Sequence, residues 1–146
     1  MLICLRDYWN LEAVKELLAL CMLADSGTLE QEMQRYFTED SRELLGCFIN
    51  GELGGMIGVK RQSDRAVEIT HLAVKPKWQG KGIGRGMIME ISKSDGIETI
   101  TAETDHETAL FYRNAGFAVT SLGEKYPGVE RFACVLSVGA AVQSRM

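Results

Sequence analysis

Apolar positions fall at helical spacing in some stretches of this chain and cluster in short runs in others. Leu2 to Leu5 reads as a short strand. Leu11, Val14, Leu17, Leu18 and Cys21 share one helical face, so a helix is predicted from Leu11 to about Ala24, with Asn10 as its N-cap. Asp25-Ser26-Gly27 breaks it. Thr28 and Gln31 have capping-box spacing and predict the start of a second helix, which runs through Met33 to about Phe37. After a polar loop from Thr38 to Arg42, the run Leu44 to Ile49, the dipeptide Asn50-Gly51 and the run Leu53 to Val59 spell a hairpin. Gly54, Gly55 and Gly58 inside a strand predict a bulge or a close backbone approach. A turn near Gln62 to Arg65 leads to a third strand, Ala66 to Val74, and the three strands are expected to pair antiparallel.

Pro76 ends that strand. Gln79 to Gly86 is glycine-rich, and Ile83, Met87, Ile88 and Ile91 carry helical spacing to about Lys93. Ile97 to Glu103 reads as a strand, and Thr108 to Ala115 as a helix closed by Gly116. Phe117 to Thr120 and Glu130 to Val135 read as two late strands, while Val138 to Met146 shows no pattern. The order β-α-α-β-β-β-α-β-α-β-β predicts an α/β (α+β) fold, one domain over residues 1–146, with a mixed and mostly antiparallel sheet flanked by helices.

With 146 residues the chain can bury a full core without disulfides or metals. The net charge of −4 argues against general nucleic-acid binding. The longest apolar run, Leu17 to Ala24, is too short to cross a membrane, and Arg6 and Asp7 interrupt any leader, so a cytoplasmic location is expected. Cys4, Cys21, Cys47 and Cys134 lack metal-ligand spacing and lie in apolar stretches. They are expected to be small buried thiols, and with only His71 and His106 available no metal site is expected.

The charge is uneven. Residues 69–89 hold Lys75, Lys77, Lys81 and Arg85 and no carboxylate, in a chain that is otherwise clearly acidic. Within this island, Gln79-Gly80-Lys81-Gly82-Ile83-Gly84-Arg85-Gly86 follows a strand and opens a helix. Glycines admit an anion close to the backbone, and free amides of the helix start would face it. Neither nucleotide pattern fits: Gly80-Lys81 is followed by Gly82 rather than Ser or Thr, and the sixth place of a GxGxxG is Arg85 or Met87. Gln79, Gly82 and Gly84 instead resemble the acetyl-CoA loop of the GNAT family of N-acetyltransferases. Leu72-Ala73-Val74-Lys75-Pro76-Lys77-Trp78 is similar to the strand end that precedes that loop in the family. Ala109-Leu110-Phe111-Tyr112-Arg113-Asn114-Ala115-Gly116-Phe117 is similar to a later helix of the same family. The resemblance spans about residues 66–117.

That resemblance implies a GNAT-like fold in which the strand at Leu72, Ala73 and Val74 splays from its neighbour and pairs with the pantetheine arm of acetyl-CoA. Amides around Gly80, Lys81, Gly82, Ile83, Gly84 and Arg85 would take the pyrophosphate, and His106 and Ala109 would line the cofactor. His106 stands where the family usually has Asn. Tyr112 would protonate the leaving thiolate. Direct attack by an amine of pKa about 10 is helped by a base, and Glu68 is the candidate, eleven residues before Gln79. Glu68 is expected to share a strand face with Thr70, Leu72 and Val74, with His71 facing away. Trp78 would lie over the cofactor or cover the helix start. Glu30, Glu32, Glu39, Asp40 and Glu43 either line an acceptor entrance or form a solvated face. The expected function is acetyl-CoA-dependent N-acetylation of a small-molecule or peptide amine, in a monomer or homodimer. The alternatives are a non-catalytic CoA-binding sensor or interaction module of the same fold and, more remotely, a nucleotide-binding regulator.

Overall fold

The computed structural model describes residues 2–22 and 26–138. Its elements follow the predicted order: β1 (Leu2–Cys4), α1 (Leu11–Leu20), α2 (Ser26–Thr38), β2 (Arg42–Ile49), β3 (Glu52–Arg61), β4 (Ala66–Val74), α3 (Ile83–Ser92), β5 (Thr99–Thr104), α4 (His106–Asn114), β6 (Ala118–Tyr126) and β7 (Val129–Ser137). A 3-10 turn at Pro76–Trp78 joins β4 to the glycine-rich loop. The strands form one sheet in the order β1-β2-β3-β4-β5-β7-β6. Every pairing is antiparallel except β4 with β5.

Local chemistry accounts for most boundaries. The Asn10 side chain accepts the Ala13 amide at 3.2 Å and starts α1. Asn50 and Gly51 both take positive φ, 53° and 81°, which is the tight turn that Asn-Gly favours between twisted strands. Asp105 caps α4 by accepting the Thr108 amide at 2.9 Å, and Gly116, at φ 101°, lets the chain leave it.

Other boundaries differ from expectation. α1 ends at Leu20, where the Cys21 amide turns back to the Leu18 carbonyl; Ala24, its expected end, lies outside the described residues. Thr28 does not open α2 but sits within its first turn, because the helix already includes Ser26. β6 and β7 are longer than their apolar runs. Their additional residues form a polar hairpin with register shifts near Gly123, and an exposed hairpin leaves no apolar alternation to read. Residues 139–146 lie outside the described part.

The sheet buries both faces. On one, Val14, Leu17 and Leu18 of α1 and Leu29, Met33 and Tyr36 of α2 pack with Leu5, Leu44, Leu53, Met56 and Ala73. On the other, Met87, Ile88 and Ile91 of α3 and Tyr112 of α4 pack with Ile57, Val59, Val67, Ile69, Ile100 and Ala102. The expected thiol burial holds for Cys134 and partly for Cys47 only. Cys4 on the edge strand β1 and Cys21 at the end of α1 are exposed residues. No helix among the described residues is long and apolar enough to cross a membrane.

The glycines of β3 serve both expected purposes. A Cβ on Gly54 would lie 2.7 Å from Ile49 and 3.0 Å from the Trp78 ring, and one on Gly58 would overlap the Tyr36 hydroxyl. Opposite Gly58 the register slips: Gly58 pairs with His71 and Val59 with Ile69, so Thr70 faces no partner residue. This bulge in β4 organises the site.

Candidate active site

The loop that leads into α3 is built by backbone geometry. Gly80 and Gly82 have φ of 77° and 81°, a region that favours glycine, and a Cβ on either would meet nothing within 4 Å. The loop is therefore both glycine-dependent and open on its outer side. Gly82 is the N-cap of α3, and the first intrahelical bond runs from the Gly86 amide to the Gly82 carbonyl at 2.9 Å. The amides of Ile83, Gly84 and Arg85 thus have no acceptor within the helix, and the first turn carries no acidic residue. Lys75 and Lys77 are drawn to Glu52, at 3.4 and 2.7 Å. Lys81 and Arg85 are exposed and make no ion pair with a described residue. Gln79 takes a positioning role: its side-chain amide donates to the Val74 carbonyl at 2.9 Å and ties the loop to the end of β4. Trp78 packs on Gly54 of β3, with its indole N–H buried and without a partner.

Above this loop the sheet forks. β4 and β5 pair in parallel from Ala66↔Thr99 to Ile69↔Ala102 and then separate, although β4 continues to Val74 and β5 to Thr104. Beyond Ile69, β4 keeps β3 on one edge and leaves the other edge unclaimed by β5. Leu72 and Val74 turn their side chains into the α3 side of the core, and Ala73 faces α1 and α2. The Cys21 residue is exposed, yet its thiol turns back against the Leu72 backbone, where burial pushes it up to about 11. The sequence offered no sign of this placement, because the stretch around Cys21 is uniformly apolar.

Tyr112 and Ala109 form the buried face of α4. The Tyr112 ring is wedged between Phe111 and Phe117, with centroids 5.2 and 5.1 Å away and edge-to-face tilts. Burial raises its phenol well above the usual range, so it stays protonated at neutral pH. Phe111 also contacts α3, since a Cβ on Gly84 would lie 3.3 Å from its ring. His106 is the exposed first residue of α4, with its ring 5.9 Å from that of Phe132 on β7.

The α2 face of β4 departs from expectation. Glu68 lies opposite Val67 and Ile69, on the side of α1 and α2, but the bulge at Thr70 reverses the alternation after it. Leu72 and Val74 therefore do not share the face of Glu68, and His71 does not face away from it. Glu68 sits where β4 is paired on both edges, with Lys60 and with Thr101, below the fork. Thr70 and His71 sit at the fork itself. His71 Nδ1 lies 2.5 Å from the Tyr36 hydroxyl, which also hydrogen-bonds the Thr70 hydroxyl. Glu32 approaches His71 Nε2 at 3.9 Å. Arg42, only 7% exposed, lies 3.6 Å from Glu32 and over the Tyr36 ring. Burial lowers the His71 pKa below its ordinary value and outweighs the opposing pull of Glu32, and burial pushes the Tyr36 phenol up to about 12. These residues come from three separate stretches of the chain and carried no motif; Glu32 was read only within an acidic run, and the glycine at position 58 signalled the close approach.

The other carboxylates of this face are mostly committed. Glu30 pairs with Lys15 at 3.1 Å, and Glu32 and Glu39 both bond Arg35 at 2.9 Å. They form a paired, partly solvated face rather than a free acidic entrance. Among the described residues no three His, Cys, Asp or Glu side chains gather to hold a metal ion.

With this geometry in view, the profile of the acetyltransferase (GNAT) domain matches residues 22–131. An N-alpha-acetyltransferase, RimI of Mycobacterium tuberculosis, is 27% identical over 117 residues, covering 76% of this chain and 74% of its own. An uncharacterized N-acetyltransferase encoded in the lysA 3′ region of Bacillus methanolicus is 36% identical over 64 residues, 44% of this chain; the match spans about half of that relative, 53%. Among solved structures, an aminoglycoside 6′-N-acetyltransferase complexed with coenzyme A superposes with a TM-score of 0.77 at 15% identity, over 94% of this chain and 97% of that one.

Proposed function

The chain belongs to the GNAT family of acetyltransferases, whose acyl donor is acetyl-CoA, and from that membership we propose that it transfers an acetyl group to a primary amine of a small molecule or peptide. The observation that carries this reading is the fork between β4 and β5, which opens beyond Ile69 and whose β4 arm ends at Val74, where Gln79 ties in the glycine loop. A free strand edge and a set of unpaired helix amides, held end to end, match the two halves of the donor: an amide-bearing arm and a pyrophosphate.

In this reading the backbone of Leu72, Ala73 and Val74 pairs with the pantetheine arm. The amides from Gly80 through Arg85, with the charges of Lys81 and Arg85, hold the pyrophosphate. His106 and Ala109 border the donor at the start of α4. Tyr112 stays neutral until the thiolate departs and then supplies its proton. The acceptor amine enters from the α1 and α2 side, where Glu68 and His71 share a face. The names of the relatives favour amines as acceptors; the N-alpha-acetyltransferase named above matches 76% of this chain.

The test is thiol release from acetyl-CoA by the purified chain, with spermidine, kanamycin and a peptide bearing a free N-terminal alanine. Release above the amine-free rate with at least one of them is expected. Acetyl-CoA binding without release from any amine would contradict transfer and favour a CoA-binding module.

A further inference from the structure

We infer that Thr70, Tyr36, His71 and Glu32 form a proton relay that takes the proton from the acceptor amine during transfer. This rests on the transferase reading above. The argument begins with position. Thr70 is the unpaired residue of the β4 bulge, and the bulge stands at the first residue beyond the last β4–β5 pair. The Thr70 hydroxyl is therefore the side-chain oxygen on the α2 face of β4 closest to the fork, two residues ahead of the strand edge that receives the donor. Behind it the Tyr36 hydroxyl contacts both Thr70 and His71 Nδ1, so three groups that exchange protons form a continuous chain. Glu68, two residues earlier, lies where both edges of β4 are occupied and has no such connection.

The surroundings give the chain a direction. Tyr36 is 1% exposed, so its hydroxyl is shielded from solvent and serves as a conduit rather than an end point. His71 is the terminus. Glu32 and Arg35 from α2, Arg42 from β2, and Tyr36 and Thr70 are the charged and titratable or hydroxylic groups around it, and Cys21 at the end of α1 acts on Tyr36. Among the described residues Glu32 is the one carboxylate within ion-pair reach of the ring. It favours the tautomer with the proton on Nε2, which leaves Nδ1 to accept from Tyr36, and it stabilises the imidazolium once formed. A neutral, partly buried imidazole backed by a carboxylate is a proton acceptor poised to fill.

The step balances. The amine nitrogen forms its bond to the thioester carbonyl carbon as its proton passes to Thr70. Thr70 gives its own proton to Tyr36, and Tyr36 gives its own to His71 Nδ1. The carbon–sulfur bond then breaks, its electron pair goes to sulfur, and the sulfur takes a proton from Tyr112. His71 loses one proton to solvent and Tyr112 regains one, so the net change is amine plus thioester to amide plus thiol.

The experiment uses the whole chain and the amine among spermidine, kanamycin and the alanyl peptide that gives the fastest thiol release. Thr70→Val, Tyr36→Phe and His71→Gln are each expected to lower kcat by about 10²-fold with KM for acetyl-CoA unchanged. The Tyr36→Phe/His71→Gln double variant is expected to be no slower than either single, because members of one relay do not add. The acid limb of the wild-type pH profile should vanish in His71→Gln. Because the chain has only two histidines, ring-nitrogen NMR follows His71 directly, and Tyr36→Phe should shift its titration. Should one variant fail to fold, the remaining two and the NMR titration carry the test. Full activity in Tyr36→Phe or Thr70→Val, additive losses in the double variant, or an acid limb lost in Glu68→Gln but kept in His71→Gln overturns the relay while leaving transfer intact. Acetyl-CoA binding with no thiol release by the wild type overturns both.

Discussion

The two sides of the fork are made of different material. On the α3 side, the residues read as the donor site work mainly through their backbone: glycines at positive φ, unpaired amides at the start of α3 and an open strand edge. On the α2 side the notable groups are side chains, Tyr36, Thr70, His71, Glu32 and Arg42, gathered from two strands and a helix. A backbone site tolerates few residue types at fixed spacing, so it leaves a contiguous signature. A side-chain cluster can be assembled from any positions that the fold brings together, so it leaves none. In the proposed function the first region serves a donor common to a whole family, and the second faces the acceptor.

Breaking the backbone side should produce the largest effect. Gly82→Glu places a side chain at φ 81° and a negative charge before unpaired amides. It is expected to abolish acetyl-CoA binding, and calorimetry showing undiminished affinity would remove the loop from the donor site. Next in size is Tyr112→Phe, which keeps the ring between Phe111 and Phe117 and removes only the hydroxyl. A fall in kcat of about 10²–10⁴-fold is expected, with unchanged acetyl-CoA affinity. An unaltered rate, with chemistry limiting, would make the residue purely structural.

Those two sites were legible because their motifs are short and local. The bulge was less so. Alternation along Ala66 to Val74 breaks at Thr70-His71, two polar residues in a row after which the apolar phase moves from Val67 and Ile69 to Leu72 and Val74, and reading an unbroken alternation through it puts both His71 and Leu72 on the wrong side. The cause lies on the neighbouring strand and on α2. Gly58 has no side chain, the Tyr36 hydroxyl fills that space, and β4 slips by one residue opposite it. A register shift set by a tertiary contact leaves only a break of phase in the strand that carries it, and its cause is not written there. The glycines at 54 and 58 did signal a close approach, without naming the group that approached. The element order survived because turns such as Asn50-Gly51 and caps such as Asn10 and Asp105 act locally.

The side-chain half can be probed through that contact. Gly58→Ala puts a methyl group where the Tyr36 hydroxyl stands, and overpacking there is expected to cost about 1–3 kcal/mol in thermal or denaturant unfolding. A cost within error would mean that Tyr36 is free to move. The smallest effect is a pH dependence. His71 has its pKa lowered from 6.5 by burial, so the unfolded chain binds a proton more readily than the folded one. The associated stability is fully present above about 6.5 and is lost as pH falls through the range below it. The melting temperature should therefore drop on acidification below neutral, and less so in His71→Gln. Equal pH slopes in the two proteins would indicate that His71 is not held neutral by its surroundings.

The central claim is that the glycine loop and the forked strand edge together hold acetyl-CoA. Calorimetric titration of the wild-type chain with acetyl-CoA, with ATP and NAD as controls, tests it most directly. Saturable binding of acetyl-CoA, and of neither control, is the predicted result. No binding by protein shown to be folded, or equal binding of ATP, would contradict it.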